Sequence, residues 1–275
     1  MARLSCWKAI LLIVAVLRAA PAFAADGCLS QLYDGVAPLI KTEKLAQETH
    51  PLCFSEMAVM FSGISRTPLY SAEHLTPERI ERALSLPRLH SNAFHEERRL
   101  PHGERSALSD YRRSGFDRGH MAPNGDMSTP EAQQESFSLA NMIPQDPCNN
   151  EVLWEGIESA VRDMALGEDV FVVTGPAFLG AELESLKGRV LVPTHIYKAI
   201  YLPQRHAAAA YFAPNDDSQN WETLSLADLE TRIGIDAFPE LDQNVRRHAM
   251  ILPSPTPHHG CRLQTSEALQ QGQGQ

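Results

Sequence analysis

The sequence predicts an α+β domain built on a central, largely antiparallel sheet with helices packed against it. Three observations carry that expectation. Strand-like apolar runs and helical stretches mix without the strict alternation of a βαβ repeat. One stretch, "EVLWEGIESAVRDMAL", repeats its apolar residues at helical spacing. Before it lies a polar segment rich in glycine and proline, "SGFDRGHMAPNGDM", which places Asp117, Arg118, His120 and Asp126 where there is little to pack.

The N-terminus comes first. Arg3 and Lys8 precede an apolar run from Ala9 to Leu17, and Ala22-Phe23-Ala24 is a small-x-small pattern. Residues 1–24 therefore read as a secretory signal peptide cut before Ala25. The run is shorter than the about 20 residues of a membrane span, and Arg18 closes it. The product is expected in the periplasm or outside the cell, with no membrane attachment. Ala25-Asp26-Gly27 before Cys28 fits a lipid-anchoring signal poorly. Residues 25–262 are expected to form one domain, and residues 263–275 a disordered tail.

The remaining elements follow in order. Ala58 to Tyr70 has the apolar and aromatic mix of a strand, with Gly63 and Pro68 as breaks. "SAEHLTPERIERAL" turns helical at its end, with Thr76 as N-cap and Pro77 at the first helical position. Arg88 to Arg113 is arginine-rich and mostly irregular. Asn149 and Asn150 open the clearest helix, whose stripe is Leu153, Ile157, Ala160 or Val161, and Met164, with Gly167 as its stop. "DVFVVTGPAF" reads as a buried strand ending in a Gly-Pro turn. "RVLVPTHIYKAIYL" and "HAAAAYFAP" read as two more strands, and "LADLETRIGID" as a short helix.

Once Cys6 leaves with the signal, Cys28, Cys53, Cys148 and Cys261 remain. An even count in an exported chain predicts two disulfides among three pairings. Cys28–Cys53 with Cys148–Cys261 is the favoured pairing. The formal net charge of −10 becomes −13 without Arg3, Lys8 and Arg18. Such a surface argues against coating nucleic acid or anionic membrane. It leaves room for an enzyme that cuts nucleic acid in a locally positive groove. Nine arginines face six acids between Arg79 and Arg118, just before and into the polar segment.

No GxxxxGK[ST], GxSxG, HExxH or CxxC pattern is present. His258, His259 and Cys261 have no matching ligand group and are not read as a zinc site. What remains is Asp117-Arg118-Gly119-His120 and, thirty residues after the histidine, the helix with the two asparagines. "DYRRSGFDRGHMAP", followed by "SLANMIPQDPCNNEVLWEGIE", resembles the DNA/RNA non-specific endonucleases, the ββα-metal nucleases that include mitochondrial endonuclease G. The similarity runs roughly from Cys53 to Pro214.

The resemblance implies the ββα-metal nuclease fold and a metal-dependent endonuclease that cuts DNA and RNA without marked sequence specificity, leaving 5′-phosphate ends. His120 matches the general base, and a neutral imidazole suits that task at neutral pH. Asn150 matches the metal ligand. Its amide oxygen suits Mg2+, with Mn2+ as the alternative. It competes with a plain helix N-cap role. Glu158 lies eight residues further on, about 80° round an ideal helix and roughly 12 Å along it, which fits orienting metal-bound water rather than direct ligation. Arg118 is read as reaching the scissile phosphate, against a salt bridge to a neighbouring carboxylate. Asn141 and the upstream Arg88 match further site positions. Asp117 is read as structural, Trp154 as a packing wall, and Asp126 receives no role. Two other functions compete: a phosphodiesterase for small substrates, and an inactive nuclease-like module that binds nucleic acid or a protein partner.

Overall fold

The computed structural model describes residues 26–87 and 93–256. Its centre is a seven-stranded sheet made of β1 (Thr49–Cys53), β2 (Ala58–Ser62), β3 (Thr67–Leu75), β6 (Val170–Ala177), β7 (His195–Leu202), β8 (Ala207–Pro214) and β9 (Glu222–Leu224). The strand order is β9-β8-β7-β6-β3-β2-β1. Every neighbouring pair is antiparallel. Two short strands, β4 (Asp117–His120) and β5 (Met142–Gln145), form a separate antiparallel ribbon. Helices α1 (Pro77–Ser85), α2 (Pro130–Ser136), α3 (Glu155–Ala165) and α4 (Leu226–Ile233) complete the frame.

Both faces of the sheet are covered, which is why its central strands are apolar at odd and even positions alike. On one face Leu75, Val170, Val172, Ile196, Ile200 and Leu202 pack against Leu153, Trp154, Ile157, Val161 and Ala165 of the long helix. The other face sets Tyr70, Val173, Tyr197, Ala199 and Phe212 against Leu226, Leu229 and Ile233 of α4. The stripe expected on the long helix is present, with Val161 rather than Ala160 buried. Thr76 caps α1 by accepting from the Arg79 N–H at 3.2 Å, and Pro77 follows it. Ser225 caps α4, and Gly234 ends it in the left-handed region at φ 71°.

Several boundaries differ from the sequence reading, each for a local reason. Ala58 to Tyr70 is two strands, β2 and the start of β3, turned at Gly63 to Arg66. Pro68 lies inside β3 beside a register shift at Met60 and Phe61, a bulge that tolerates a missing N–H. Gly175-Pro176 is likewise inside β6, not a turn. Pairing with β3 stops at Thr174, so no neighbour on that side needs the Pro176 N–H. A Cβ on Gly175 would sit 2.6 Å from the Tyr197 hydroxyl oxygen, so only glycine fits. "RVLVPTHIYKAIYL" is broken near Pro193 into Val190–Leu191 and β7.

Cys28 and Cys53 form a disulfide that closes a separation of 25 residues. Cys148 is also disulfide-bonded. Its expected partner Cys261, the expected signal peptide, Arg88, His258, His259 and the expected tail all lie outside the described residues. Among the described residues, no helix is long and apolar enough to cross a membrane.

Candidate active site

Within the polar segment Ser114 and Gly115 bend, Gly115 at φ 86°, and Asp117 to His120 then pair with Gln145 to Met142, so the DRGH tetrapeptide is extended. The chain bends again after His120. Gly119 serves close approach. A Cβ there would lie 2.7 Å from the Cβ of Gln145, the residue that packs across the ribbon. Period-two alternation then puts Arg118 and His120 on one face and Asp117 and Gly119 on the other.

Arg118 and His120 share an aromatic surround. The Arg118 guanidinium sits 3.9 Å above the centre of the Phe94 ring. The His120 ring meets Phe94 at 5.9 Å and Phe137 edge-on at 5.0 Å. The Nε2 atom of His120 is buried without a hydrogen-bond partner. Burial first, and the Arg118 charge second, hold the His120 pKa down to about 4. The imidazole is therefore neutral at physiological pH, as a proton acceptor must be. Arg118 makes no salt bridge among the described residues, so its charge remains available. A cavity of about 670 Å³ is lined by Phe94, Glu96, Glu97, Arg98, Arg105 and Leu108 among others; it shares Phe94 with this pair but is lined by neither Arg118 nor His120.

The first residue of the strand meets the long helix. Asn150 donates from Nδ2 to Asp117 Oδ2 at 2.9 Å. That bond fixes the amide and leaves its carbonyl oxygen, Oδ1, as the free donor atom. Asp117 is thus structural in a definite way: it orients Asn150. Neither asparagine caps the helix. Asp146 does, its Oδ1 accepting from the N–H groups of Cys148 at 2.8 Å and Asn149 at 3.0 Å. Asn149 is buried, accepting from Gln145 Nε2 at 2.7 Å and donating to Pro214 O at 2.8 Å.

From Asn149 to Trp154 the helix is a π-helix, and the α-helix resumes at Glu155. A π turn is wider and rotates fewer degrees per residue, so Asn150 and Glu158 lie closer in angle than the about 80° of an ideal helix. Glu158 is half-buried, and burial pushes its pKa up to about 7 against the lowering pull of Lys198 and Arg162. Trp154 is the packing wall expected, 1% exposed.

Asn141 lies beneath the motif rather than at its surface. It accepts from Ser71 Oγ at 2.7 Å and Ala122 N at 3.0 Å, and donates to Ala122 O at 2.8 Å and Ser136 O at 3.0 Å. With its amide fully used inside the protein, it positions the turn after His120. That differs from its expected place among the catalytic groups. Asp126, left without a role, is buried and accepts from Arg162 Nη1 at 3.0 Å, while its backbone carbonyl accepts from Arg79 Nε at 2.9 Å.

Other residues escaped the sequence reading. Lys198 is buried on the sheet face under α3, donating to Thr174 Oγ1 at 2.8 Å. One lysine in an otherwise apolar run was the available signal. Gln145, whose Oε1 is buried and unpartnered, was visible only as part of the motif around it. Phe94 and Phe137 had no signal beyond being aromatic.

The donor set bears on a metal. Among the described residues, no group of three or more His, Cys, Asp or Glu could hold one. A site here would rest on a neutral amide oxygen and water. Mg2+, a hard ion that keeps several waters and takes few protein ligands, fits that set. A softer ion wanting thiolate or clustered imidazole does not.

Comparison with known proteins places the chain in a family. The family model for DNA/RNA non-specific endonuclease matches residues 36–244. Nuclease C1 of Cunninghamella echinulata var. echinulata is 35% identical over 204 residues, covering 67% of this chain and 81% of its own. The mitochondrial nuclease EXOG of Xenopus laevis is 34% identical over 263 residues, covering 83% of this chain and 73% of its own. A chain of the solved EndoG/EndoGI complex superposes with a TM-score of 0.62 at 27% identity, over 71% of this chain and 88% of that one. The ribbon β4–β5 and the long helix are the ββα unit of the ββα-metal fold. With that fold and these relatives, the chain belongs to the DNA/RNA non-specific endonuclease family.

Proposed function

We propose that this protein is a divalent-metal-dependent endonuclease that hydrolyses phosphodiester bonds in DNA and RNA without marked sequence preference. One observation carries the reading: a neutral histidine and an arginine without a salt bridge among the described residues share a strand face, and that strand begins at the carboxylate holding Asn150.

In this reading His120 takes a proton from the attacking water. The water oxygen bonds to phosphorus, the bond from phosphorus to the 3′ oxygen breaks, and the 5′ side keeps the phosphate. Arg118 faces the charge that builds on the phosphate oxygens. Asn150 would offer Oδ1 as a protein ligand to the ion, and Glu158 would accept hydrogen bonds from water bound to it. A bound Mg2+, or Mn2+ in its place, supplies positive charge at the phosphate and the departing 3′ oxygen. Arg88 is proposed as a further phosphate contact on its spacing alone.

Plasmid, RNA and a dinucleotide analogue, each incubated with the protein, test the substrate class. Cleavage of both polymers to 5′-phosphate ends, with the analogue cut far more slowly, is expected. Preferred cleavage of the analogue would make the chain a small-substrate phosphodiesterase. Export is supported by the N-terminal pattern and by the Cys28–Cys53 disulfide, a bond of oxidising compartments. Terminal sequencing of the purified protein should begin at Ala25. A start at Met1 would contradict export by signal cleavage.

A further inference from the structure

A general base is usually aimed by a hydrogen bond to its second ring nitrogen. His120 lacks one at Nε2, which is buried and unpartnered. Its orientation must come from packing. The rings that pack it are Phe94 at 5.9 Å and Phe137 at 5.0 Å, the latter at an interplanar angle of 82°. Phe94 and Phe137 also meet each other at 4.9 Å and 83°. Three rings in mutual contact leave the imidazole little freedom to turn. Phe94 has a second task, because the Arg118 guanidinium lies 3.9 Å over its centre.

The segment carrying Phe94 is tied down. His95 N donates to Phe137 O at 3.2 Å, and Leu139 N donates to His95 O at 2.8 Å. Gln134 Nε2 donates to Ala93 O at 3.1 Å. The bridge pins the residue after Phe94 to the residues around Phe137, so the two rings are held relative to one another.

We propose that Phe94 is a positioning residue of the cleavage site: one ring fixes both the Arg118 guanidinium and the His120 imidazole, in place of the hydrogen-bonded partner that His120 lacks. The proposal rests on the nuclease reading above. Arg118, on the same strand, is the charged group acting on His120. The aromatic residues packed against it carry no charge, and His95 beside Phe94 is within hydrogen-bond reach of Ala93 O at 3.1 Å. Removing the ring should admit water to His120 and loosen Arg118 together.

The test uses the full protein with Phe94→Leu, Phe94→Met and Phe94→Tyr, reading kcat, KM and the pH profile on a defined oligonucleotide. The leucine and methionine variants should lose kcat by about tenfold or more with KM changed far less, since small misplacements cost that much. The acidic limb of their kcat profile should move up toward the ordinary histidine range. Tyrosine, which keeps the ring, should restore both. Unchanged kcat and pH profile in folded leucine or methionine variants would overturn the proposal. So would a fall in kcat whose pH profile stays put, because that marks a structural role alone. If neither variant folds, the tyrosine variant decides: a tenfold loss with the ring retained sinks the proposal. A wild-type protein that cuts neither DNA nor RNA would instead sink the nuclease reading.

Discussion

His120 owes its neutral state to what surrounds it, not to its own type. The chain has eleven histidines, but the one pushed down to a pKa of about 4 sits against two phenylalanines and two residues from an arginine. Asn141 shows the same logic in a supporting part. Its amide joins strand β3, the turn after His120 and the end of α2. Asn141→Ala would leave Ser71 Oγ and the Ala122 and Ser136 backbone groups buried without partners. At about 1–3 kcal/mol for each such group, we expect a loss of about 3 kcal/mol or more in urea denaturation. Activity should fall with it, because the turn after the base is no longer held. A loss under about 1 kcal/mol would mean that water replaces the amide.

At the scale of elements, the amphipathic helix was legible because its apolar stripe recurs at helical spacing and has one clear stop, whereas its π-helical start from Asn149 to Trp154 left no such signal. The α1 cap and the α4 helix were legible for similar reasons: Thr-Pro and Ser-to-Gly patterns act locally. The ribbon was not. Asp117 to His120, two charged residues, a glycine and a histidine, carry no strand pattern of their own, and form a strand because Met142 to Gln145 pair with them. The helix start misled in the same way. Two asparagines are good caps by type, yet Asp146 takes the role because the amides of both asparagines are engaged elsewhere. His120, Arg118 and Asn150 could be named as candidates from the motif. The aromatic surround and Lys198 depend on tertiary contacts that no local pattern carries. Asp146→Ala should cost about 1 kcal/mol of stability, as lost N-caps do. It should also raise the divalent-ion concentration needed for half-maximal cleavage, since the same turn carries Asn150. An unchanged ion titration would separate the cap from the metal site.

The whole molecule carries a net charge of −10, and its arginines are densest from Arg79 to Arg118, with Arg98, Arg99, Arg112 and Arg113 exposed and Arg79 buried against Glu73. Substrate binding should then depend on a few local cations working against the general field. Raising salt from about 50 mM to about 200 mM should weaken nucleic-acid affinity about tenfold or more, as expected when two or more phosphates are neutralised. A flat response in a filter-binding assay with an inactive variant would place binding on apolar stacking instead. The sheet itself contributes rigidity. Both faces are buried, so the long helix that bears Asn150 and Glu158 rests on a closely packed floor.

The role of His120 as the base of a metal-dependent phosphodiester hydrolysis is decided by plasmid cleavage with the wild-type protein and with His120→Ala, each in Mg2+ and in excess EDTA. Removing a general base costs about 10²–10⁴-fold. We expect rapid cleavage in one condition only, wild type with Mg2+, and a folded alanine variant slowed by that factor. Cleavage that survives EDTA, or an alanine variant as fast as wild type, would contradict the claim.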